Sequence, residues 1–114
     1  MWRKAHGLTL AVYAATKGFP VDEIYGLRLQ IRRSAASIGT NIAEGCGRRG
    51  DREFGRFLHF AMGSTSELDY QLLLARDLGL LPGGLHSELQ TRTTEIKKML
   101  SSLLSKLRAV GCQL

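Results

Sequence analysis

The sequence has little proline and no apolar run long enough to cross a membrane. Only two of its 114 residues are proline, Pro20 and Pro82. Long helices are therefore permitted, because proline is the residue that a helix interior tolerates least. No apolar run approaches the ~20 residues that a membrane span requires, and the N-terminal residues lead into no signal-type apolar stretch. We expect a cytoplasmic protein with no membrane partner.

Cysteine and histidine are too few and too scattered to suggest a metal centre. The two cysteines, Cys46 and Cys112, cannot form the disulfide framework of a small secreted domain, and their spacing matches no zinc motif. The three histidines lie in different segments, and no HxxxH, HExxH or CxxC sequence occurs. We therefore expect neither a metal site nor a cofactor.

Positive charge is abundant and concentrated. The formal net charge is +6, which favours anionic partners through long-range attraction. Seven of the 11 arginines lie between residues 28 and 56, where only three acidic residues oppose them. Arginine suits phosphate because its planar guanidinium group can donate two parallel hydrogen bonds. The candidate nucleic-acid-binding residues are therefore Arg28, Arg32, Arg33, Arg48, Arg49, Arg52 and Arg56.

The spacing of apolar residues predicts four helices, at approximately residues 3–17, 21–45, 51–78 and 84–110, with glycine- or proline-containing breaks between them. Short connections make neighbouring helices antiparallel. The sequence therefore predicts an all-α, up-down-up-down antiparallel four-helix bundle, formed as a single domain by residues 1–114. The stripe predicted for the second helix is Ile24, Leu27, Ile31, Ala35, Ile38 and Ile42, and that for the fourth is Leu85, Leu89, Ile96, Met99, Leu103 and Leu107.

A polar series runs beside the apolar stripe of the second helix. Its spacing of 4-3-4-3 places all members on one helix face, and they are Gln30, Ser34, Ser37, Asn41 and Glu44. Ser64 and Glu67 on the third helix offer a complement. Two interpretations remain open: the two polar series meet inside the subunit, or they form a contact between subunits. Either contact requires hydrogen-bonded partners.

Glu44 is the one residue of this series that could suggest catalysis, because a buried carboxylate can act as a general acid or base. No second carboxylate at a recognisable spacing, histidine or nucleophile accompanies it. Arg48 lies four residues further on and favours a structural ion pair. We therefore expect no catalytic residues and no enzymatic activity.

The arginines around residues 48–56 have two interpretations. Asp51 is a plausible cap for the third helix, and cations at a helix N-terminus oppose its dipole. Their placement is tolerable where an anion binds to the free N–H groups. The nearby glycines match no P-loop. Solvated faces with local ion pairs explain the arginines equally well, and the sequence alone does not choose between these interpretations.

One segment resembles a known bacterial family. The run is Ser37-Ile38-Gly39-Thr40-Asn41-Ile42-Ala43-Glu44-Gly45, followed by Gly47-Arg48. It is similar to the sequence typical of the four-helix-bundle proteins also called ribosomal-RNA intervening-sequence proteins. Flanking residues resemble the family too, including Trp2, Phe19-Pro20 and Arg32-Arg33 in the first half and Phe54, Arg56-Phe57-Leu58 and Glu67-Leu68 in the second.

The resemblance implies a four-helix subunit. It also implies kinship with the accessory protein of diversity-generating retroelements, a barrel-like pentamer that has a basic surface and binds nucleic acid. The resemblance assigns no catalytic residue to this chain. Together with the arginines, it leads us to expect a non-enzymatic homo-oligomer, a pentamer by family analogy, that binds nucleic acid and favours RNA.

Two other functional hypotheses remain. The first is a protein–protein adaptor that recognises its partner through a helix face and does not bind nucleic acid directly. The second is an enzyme acting on nucleic acid through Glu44. Nuclease-resistant capture of a protein partner would distinguish the adaptor, and loss of turnover in Glu44→Gln would distinguish the enzyme.

Overall fold

The computed structural model describes residues 1–23 and 26–112. Within these residues the chain forms four helices, which are α1 (Trp2–Thr16), α2 (Leu27–Cys46), α3 (Asp51–Asp77) and α4 (Gly83–Cys112). A short 3-10 turn at Val21–Glu23 lies between α1 and α2. The described residues contain no strand, and the predicted all-α class is confirmed.

The helices pack as a closed ring of four, which confirms the predicted antiparallel bundle. Each of the pairs α1–α2, α2–α3, α3–α4 and α4–α1 is in contact, so that α1 and α3 lie diagonally across the bundle. The molecule is elongated, with extents of 51 × 22 × 19 Å. None of the helices in the described ranges is long and apolar enough to cross a membrane.

The second helix begins later than the sequence predicts. α2 begins at Leu27 rather than near residue 21, and Gly26 precedes it with φ −103° and ψ −121°. This backbone conformation lies outside the helical region, and glycine can adopt it because it has no Cβ. The predicted helix was therefore wrong over Val21–Glu23, which form the separate 3-10 turn.

The stripe predicted for α2 forms the centre of the core. Leu27, Ile31, Ala35, Ile38 and Ile42 are all at least 93% buried. The remaining member of that prediction, Ile24, lies outside the described residues. These positions recur every three or four residues, so that they share one helix face and meet the apolar faces of the other helices.

The stripe predicted for α4 was correct at Leu89 and Ile96 and wrong at its other four positions. The buried positions are His86, Leu89, Thr93, Ile96, Leu100 and Leu104. Leu85 is 38% exposed, and three further predicted members only flank the core, namely Met99, Leu103 and Leu107. Because apolar residues occur in adjacent pairs in this helix, such as Leu103 and Leu104, the sequence is compatible with two neighbouring apolar stripes. Thr93 can occupy the buried one because its hydroxyl donates to the Leu89 carbonyl oxygen at 2.7 Å.

Candidate nucleic-acid interface

The seven candidate arginines fall into two clusters at opposite ends of the bundle. Arg28, Arg32 and Arg33 lie in the first turns of α2. The other four lie in the connection after α2 and in the first two turns of α3. Residues 28 and 46 are separated by roughly 27 Å at a rise of 1.5 Å per residue. The structure therefore does not bring all seven arginines into one surface.

Arg32 is bonded within the subunit. Its Nε donates to Thr16 Oγ1 at 2.8 Å and its Nη2 donates to the Tyr13 carbonyl oxygen at 3.1 Å. Its guanidinium carbon also lies 4.5 Å from the centroid of the Tyr13 ring. Because two of its nitrogens and one face of the group contact residues of α1, Arg32 ties α1 to α2. These contacts compete with the phosphate binding that the sequence predicts for Arg32.

Arg28 and Arg33 differ from Arg32 although they lie on the same helix. Arg28 is partly exposed and Arg33 is exposed. Within the described part of the chain, neither side chain has a hydrogen bond or an ion pair. They remain available to an anionic partner at this end of the molecule.

The connection between α2 and α3 is shaped by its glycines. α2 ends at Cys46, and Gly50 precedes α3 with φ 84° and ψ 152°. This conformation is essentially restricted to glycine. Asp51 is therefore the first residue of α3 rather than its cap, and no side chain caps the helix. The N–H groups of its first turn are left without a side-chain acceptor.

Because of this connection, Arg48 does not continue the helical series of Arg52 and Arg56. It lies between the helices and turns back, so that its Nη2 lies 3.3 Å from Glu44 Oε2 and its guanidinium carbon 5.1 Å from the centroid of the Phe57 ring. Arg56 pairs with Glu53 at 3.7 Å. Both ion pairs are about half exposed, and such pairs contribute about 1 kcal/mol or less to stability.

Arg49 and Arg52 are the unopposed members of this cluster. Both are exposed, and neither forms an ion pair or side-chain hydrogen bond with the described residues. They flank Gly50 and Asp51 at the uncapped start of α3. Asp51 also lies in this turn, but the two arginine charges and the free N–H groups of the helix outweigh its single carboxylate, and an anion could occupy this corner.

The antiparallel topology adds cations to this corner that the sequence analysis missed. α1 begins, and α4 ends, at the end of the bundle where α2 meets α3. Arg3 and Lys106 are exposed there, whereas Lys4 forms an ion pair with Glu95. The signal that could have found them is the topology itself, because antiparallel helices place the two chain ends together. We call this end the basic end, formed by Arg3, Arg48, Arg49, Arg52, Arg56 and Lys106.

The polar series of α2 meets α3 inside the subunit at its centre. Ser37 Oγ lies 2.8 Å from Ser64 Oγ, and Asn41 Nδ2 donates to Ser37 Oγ at 3.0 Å and to the Ser37 carbonyl oxygen at 2.9 Å. Ser34 is 6% exposed. These contacts favour the intrasubunit interpretation for the middle of the series.

The outer members of the polar series do not join this layer. Gln30 and Glu67 are exposed at the edges of a small groove of about 370 Å³ between α2 and α3. Glu44 is exposed and paired with Arg48. Among the described residues, no three His, Cys, Asp or Glu side chains are grouped so that they could hold a metal ion.

Comparisons with known proteins give the chain its family. The sequence matches the family model described as 23S rRNA-intervening sequence protein over residues 1–102. The crystal structure of a protein with unknown function from the S23 ribosomal protein family of Bacteroides thetaiotaomicron has a TM-score of 0.82 to this chain and is 24% identical to it. The match covers 90% of this chain and 96% of that one, and at this identity it shows a shared fold. No curated protein has a significant match.

Proposed function

The chain belongs to the 23S rRNA-intervening sequence protein family, and we propose that it is a non-enzymatic, homo-oligomeric subunit that binds nucleic acid through arginine–phosphate contacts. RNA is the favoured partner. The family description names a ribosomal RNA, and the resemblance noted above includes a pentameric nucleic-acid-binding protein. The proposed subunit number, five, rests on that analogy.

One observation carries the proposal, namely the pair of exposed and unopposed arginines at the start of α3. Arg49 and Arg52 lie beside N–H groups that no side chain caps. Cations at this position oppose the helix dipole and therefore lower stability in the absence of a ligand. A phosphate group would offset this cost because it accepts hydrogen bonds from both the guanidinium groups and the backbone.

Self-association is supported by two exposed apolar patches on diagonal helices. On α1, Leu10 and Tyr13 are 58% and 43% exposed; on α3, Tyr70 and Leu73 are 63% and 37% exposed. Each pair is spaced i, i+3 and therefore shares a helix face. Because α1 and α3 lie at opposite corners, one subunit can offer each patch to a different neighbour.

The absence of catalysis is supported by the environment of Glu44. Its carboxylate is paired with Arg48 and is about half exposed. Among the described residues, no histidine or second carboxylate is hydrogen-bonded to it, so that no second group is placed to act with it in proton transfer. Glu44→Gln should therefore leave nucleic-acid binding close to that of the wild type, and no turnover of RNA should depend on it.

The experiment that tests the proposal is fluorescence anisotropy with labelled single-stranded RNA and duplex DNA across a salt series. Neutralised phosphates release counterions, so that log K should fall with log salt by about 0.7 per contact on single strands. The variant Arg48→Ala/Arg49→Ala/Arg52→Ala should reduce this slope by about 2. The matched control Arg76→Ala/Arg92→Ala/Lys98→Ala removes the same charge outside both clusters and should leave the slope nearly unchanged.

Two results would contradict the mechanism. The first is binding that does not respond to salt. The second is an equal loss of slope in the two triple variants, which would show that net charge rather than the basic end governs binding. Light scattering on the same samples gives the mass and tests the homo-oligomer separately.

An adaptor function is the second candidate, and the surface far from the basic end favours it. Val21 and Leu78 are 80% and 59% exposed there, and a partner protein could cover them. Capture of a defined partner that survives nuclease treatment and is lost in Leu78→Glu would support this function over nucleic-acid binding.

A further inference from the structure

A groove of about 740 Å³ lies between α1 and α2 and extends to the basic end. Trp2 and His6 line one side of it, and their rings are parallel to within 2° with centroids 5.3 Å apart. Across from them, Gly39 and Ala43 leave the groove open. A Cβ atom built on Gly39 would meet only Ala5 Cβ, at 4.0 Å.

The walls of this groove are held in place by hydrogen bonds. The single hydroxyl hydrogen of Thr9 on α1 is shared between the Ala5 carbonyl oxygen, at 2.9 Å from Oγ1, and the Ala35 carbonyl oxygen across the helix pair, at 3.1 Å. The groove is therefore present before any ligand binds. Its volume is within the range of about 300–1,000 Å³ that small-molecule sites occupy.

Trp2 offers an aromatic surface on which, among the described residues, only the His6 ring is stacked. It is 49% exposed, although a large indole gains from burial. Single-stranded nucleic acids bind to such surfaces because every base can stack on an aromatic ring, whereas bases in a duplex are already stacked on one another. An aromatic wall beside a phosphate-binding corner is the combination that unpaired strands require.

Charge at the mouth of the groove is suited to the same ligand. Arg48 lines the groove, and Arg49 follows it in the connection. The Glu44 carboxylate also lines it and is paired with Arg48, so that among the described residues here Arg49 carries the unopposed positive charge.

We propose that this groove receives an unpaired base of a single-stranded nucleic acid, which stacks on Trp2 while the adjoining phosphates bind Arg48 and Arg49. The inference rests on the proposed nucleic-acid binding and adds the substrate class, single strands rather than duplexes. It also separates two tasks, because the arginines supply attraction and Trp2 supplies the preference for an unpaired base.

The test uses the fluorescence of Trp2, which is the only tryptophan in the chain. A base stacked on the indole should quench its emission. Single-stranded RNA is therefore titrated into the full chain, and inorganic polyphosphate of matched charge serves as the probe that has phosphates but no bases. RNA should bind and quench, whereas polyphosphate should bind without comparable quenching.

Two variants extend the test by anisotropy. Trp2→Ala should weaken single-stranded RNA binding about tenfold and leave polyphosphate binding unchanged, and Trp2→Phe should restore most of the affinity. Ala43→Leu fills the groove at an exposed position and should have the same effect as Trp2→Ala. The matched controls are Leu78→Ala at the far end and Ala14→Leu on the exposed side of α1, and both should bind like the wild type.

The outcomes separate this inference from the proposed function. If RNA and polyphosphate bind with equal affinity, and Trp2→Ala changes neither, then arginine–phosphate binding stands and the base-binding groove is wrong. If neither ligand binds at low salt, both fail. If Ala43→Leu lowers the mass in light scattering and Trp2 emission depends on protein concentration, a second copy covers the groove and the inference is overturned.

Discussion

The adjacent residues Arg32 and Arg33 of α2 have different roles. Arg32 holds α1 against α2, whereas Arg33 is available to a partner. Arg32 donates hydrogen bonds to Thr16 Oγ1 and to the Tyr13 carbonyl oxygen. Arg33 is exposed and lies beside the groove between α2 and α3. Consecutive residues point about 100° apart around a helix, so that one reaches α1 and the other reaches solvent.

Arg32→Ala should therefore lower the free energy of unfolding, whereas Arg33→Ala should not. Removing Arg32 breaks two charge-assisted hydrogen bonds and the contact with the Tyr13 ring. We expect a loss of about 1–2 kcal/mol, below the full value for buried charged bonds because the site is partly exposed. Urea denaturation followed by circular dichroism measures it. Equal stability of the two variants would show that Arg32 does not tie α1 to α2.

The sequence could not have distinguished these two arginines. Helix periodicity gives the angle between Arg32 and Arg33, but it does not say on which flank of α2 the first helix packs. That choice depends on the handedness of the bundle, which the periodicity of one helix does not contain. Arg3 and Lys106 differ in this respect, because the predicted antiparallel topology already places the start of α1 and the end of α4 at the same end of the bundle as Arg49.

At the scale of helices, the periodicity of α2 predicted its buried face, whereas that of α4 was correct only at Leu89 and Ile96. In α2 the large apolar residues Leu27, Ile31, Ile38 and Ile42 form one buried stripe, and only Leu29 lies outside it. In α4 adjacent apolar pairs such as Met99 and Leu100 make two stripes possible. Thr93 is a polar residue at a buried position, which is tolerated because its hydroxyl is hydrogen-bonded within the helix. Register was therefore predictable only where a single stripe was available.

The close approach of α2 and α3 requires glycine at one position. A Cβ atom on Gly45 would lie 3.0 Å from Phe54 Cδ1 and 3.1 Å from Phe57 Cβ. By contrast, a Cβ atom on Gly63, in the middle of α3, would meet nothing within 4 Å. The two glycines therefore share a helical backbone but differ in the space around them.

Gly45→Ala and Gly63→Ala should change stability in opposite directions. Alanine raises helix propensity by about 1 kcal/mol at either site. At Gly45 this gain is outweighed by crowding, which typically costs about 1–3 kcal/mol in a packed contact, so that a net loss of about 1 kcal/mol is expected. At Gly63 we expect a gain of about 0.5–1 kcal/mol. Chemical denaturation of both variants checks this, and stabilisation by both would show that α2 and α3 are not in tight contact at Gly45.

At the scale of the whole molecule, the position of the two apolar patches determines which assemblies are possible. A patch that binds its own copy makes an isologous dimer, whereas a patch that binds a different patch makes a head-to-tail contact that closes into a ring or extends into a filament. Leu10 and Tyr13 on α1 and Tyr70 and Leu73 on α3 occupy opposite corners of the bundle. This arrangement favours the head-to-tail contact, and a ring of such contacts would place all basic ends in equivalent positions.

Mixing two variants decides between these assemblies. Leu10→Glu disables the patch on α1 and Tyr70→Glu disables that on α3. Both positions are more than half exposed, so that each variant should still fold. In a head-to-tail assembly each variant alone should be monomeric by light scattering. Their mixture should stop at a dimer of twice the 12.6 kDa chain, because only one intact contact remains. If one variant alone keeps the wild-type mass, the contact is isologous and the head-to-tail arrangement is wrong.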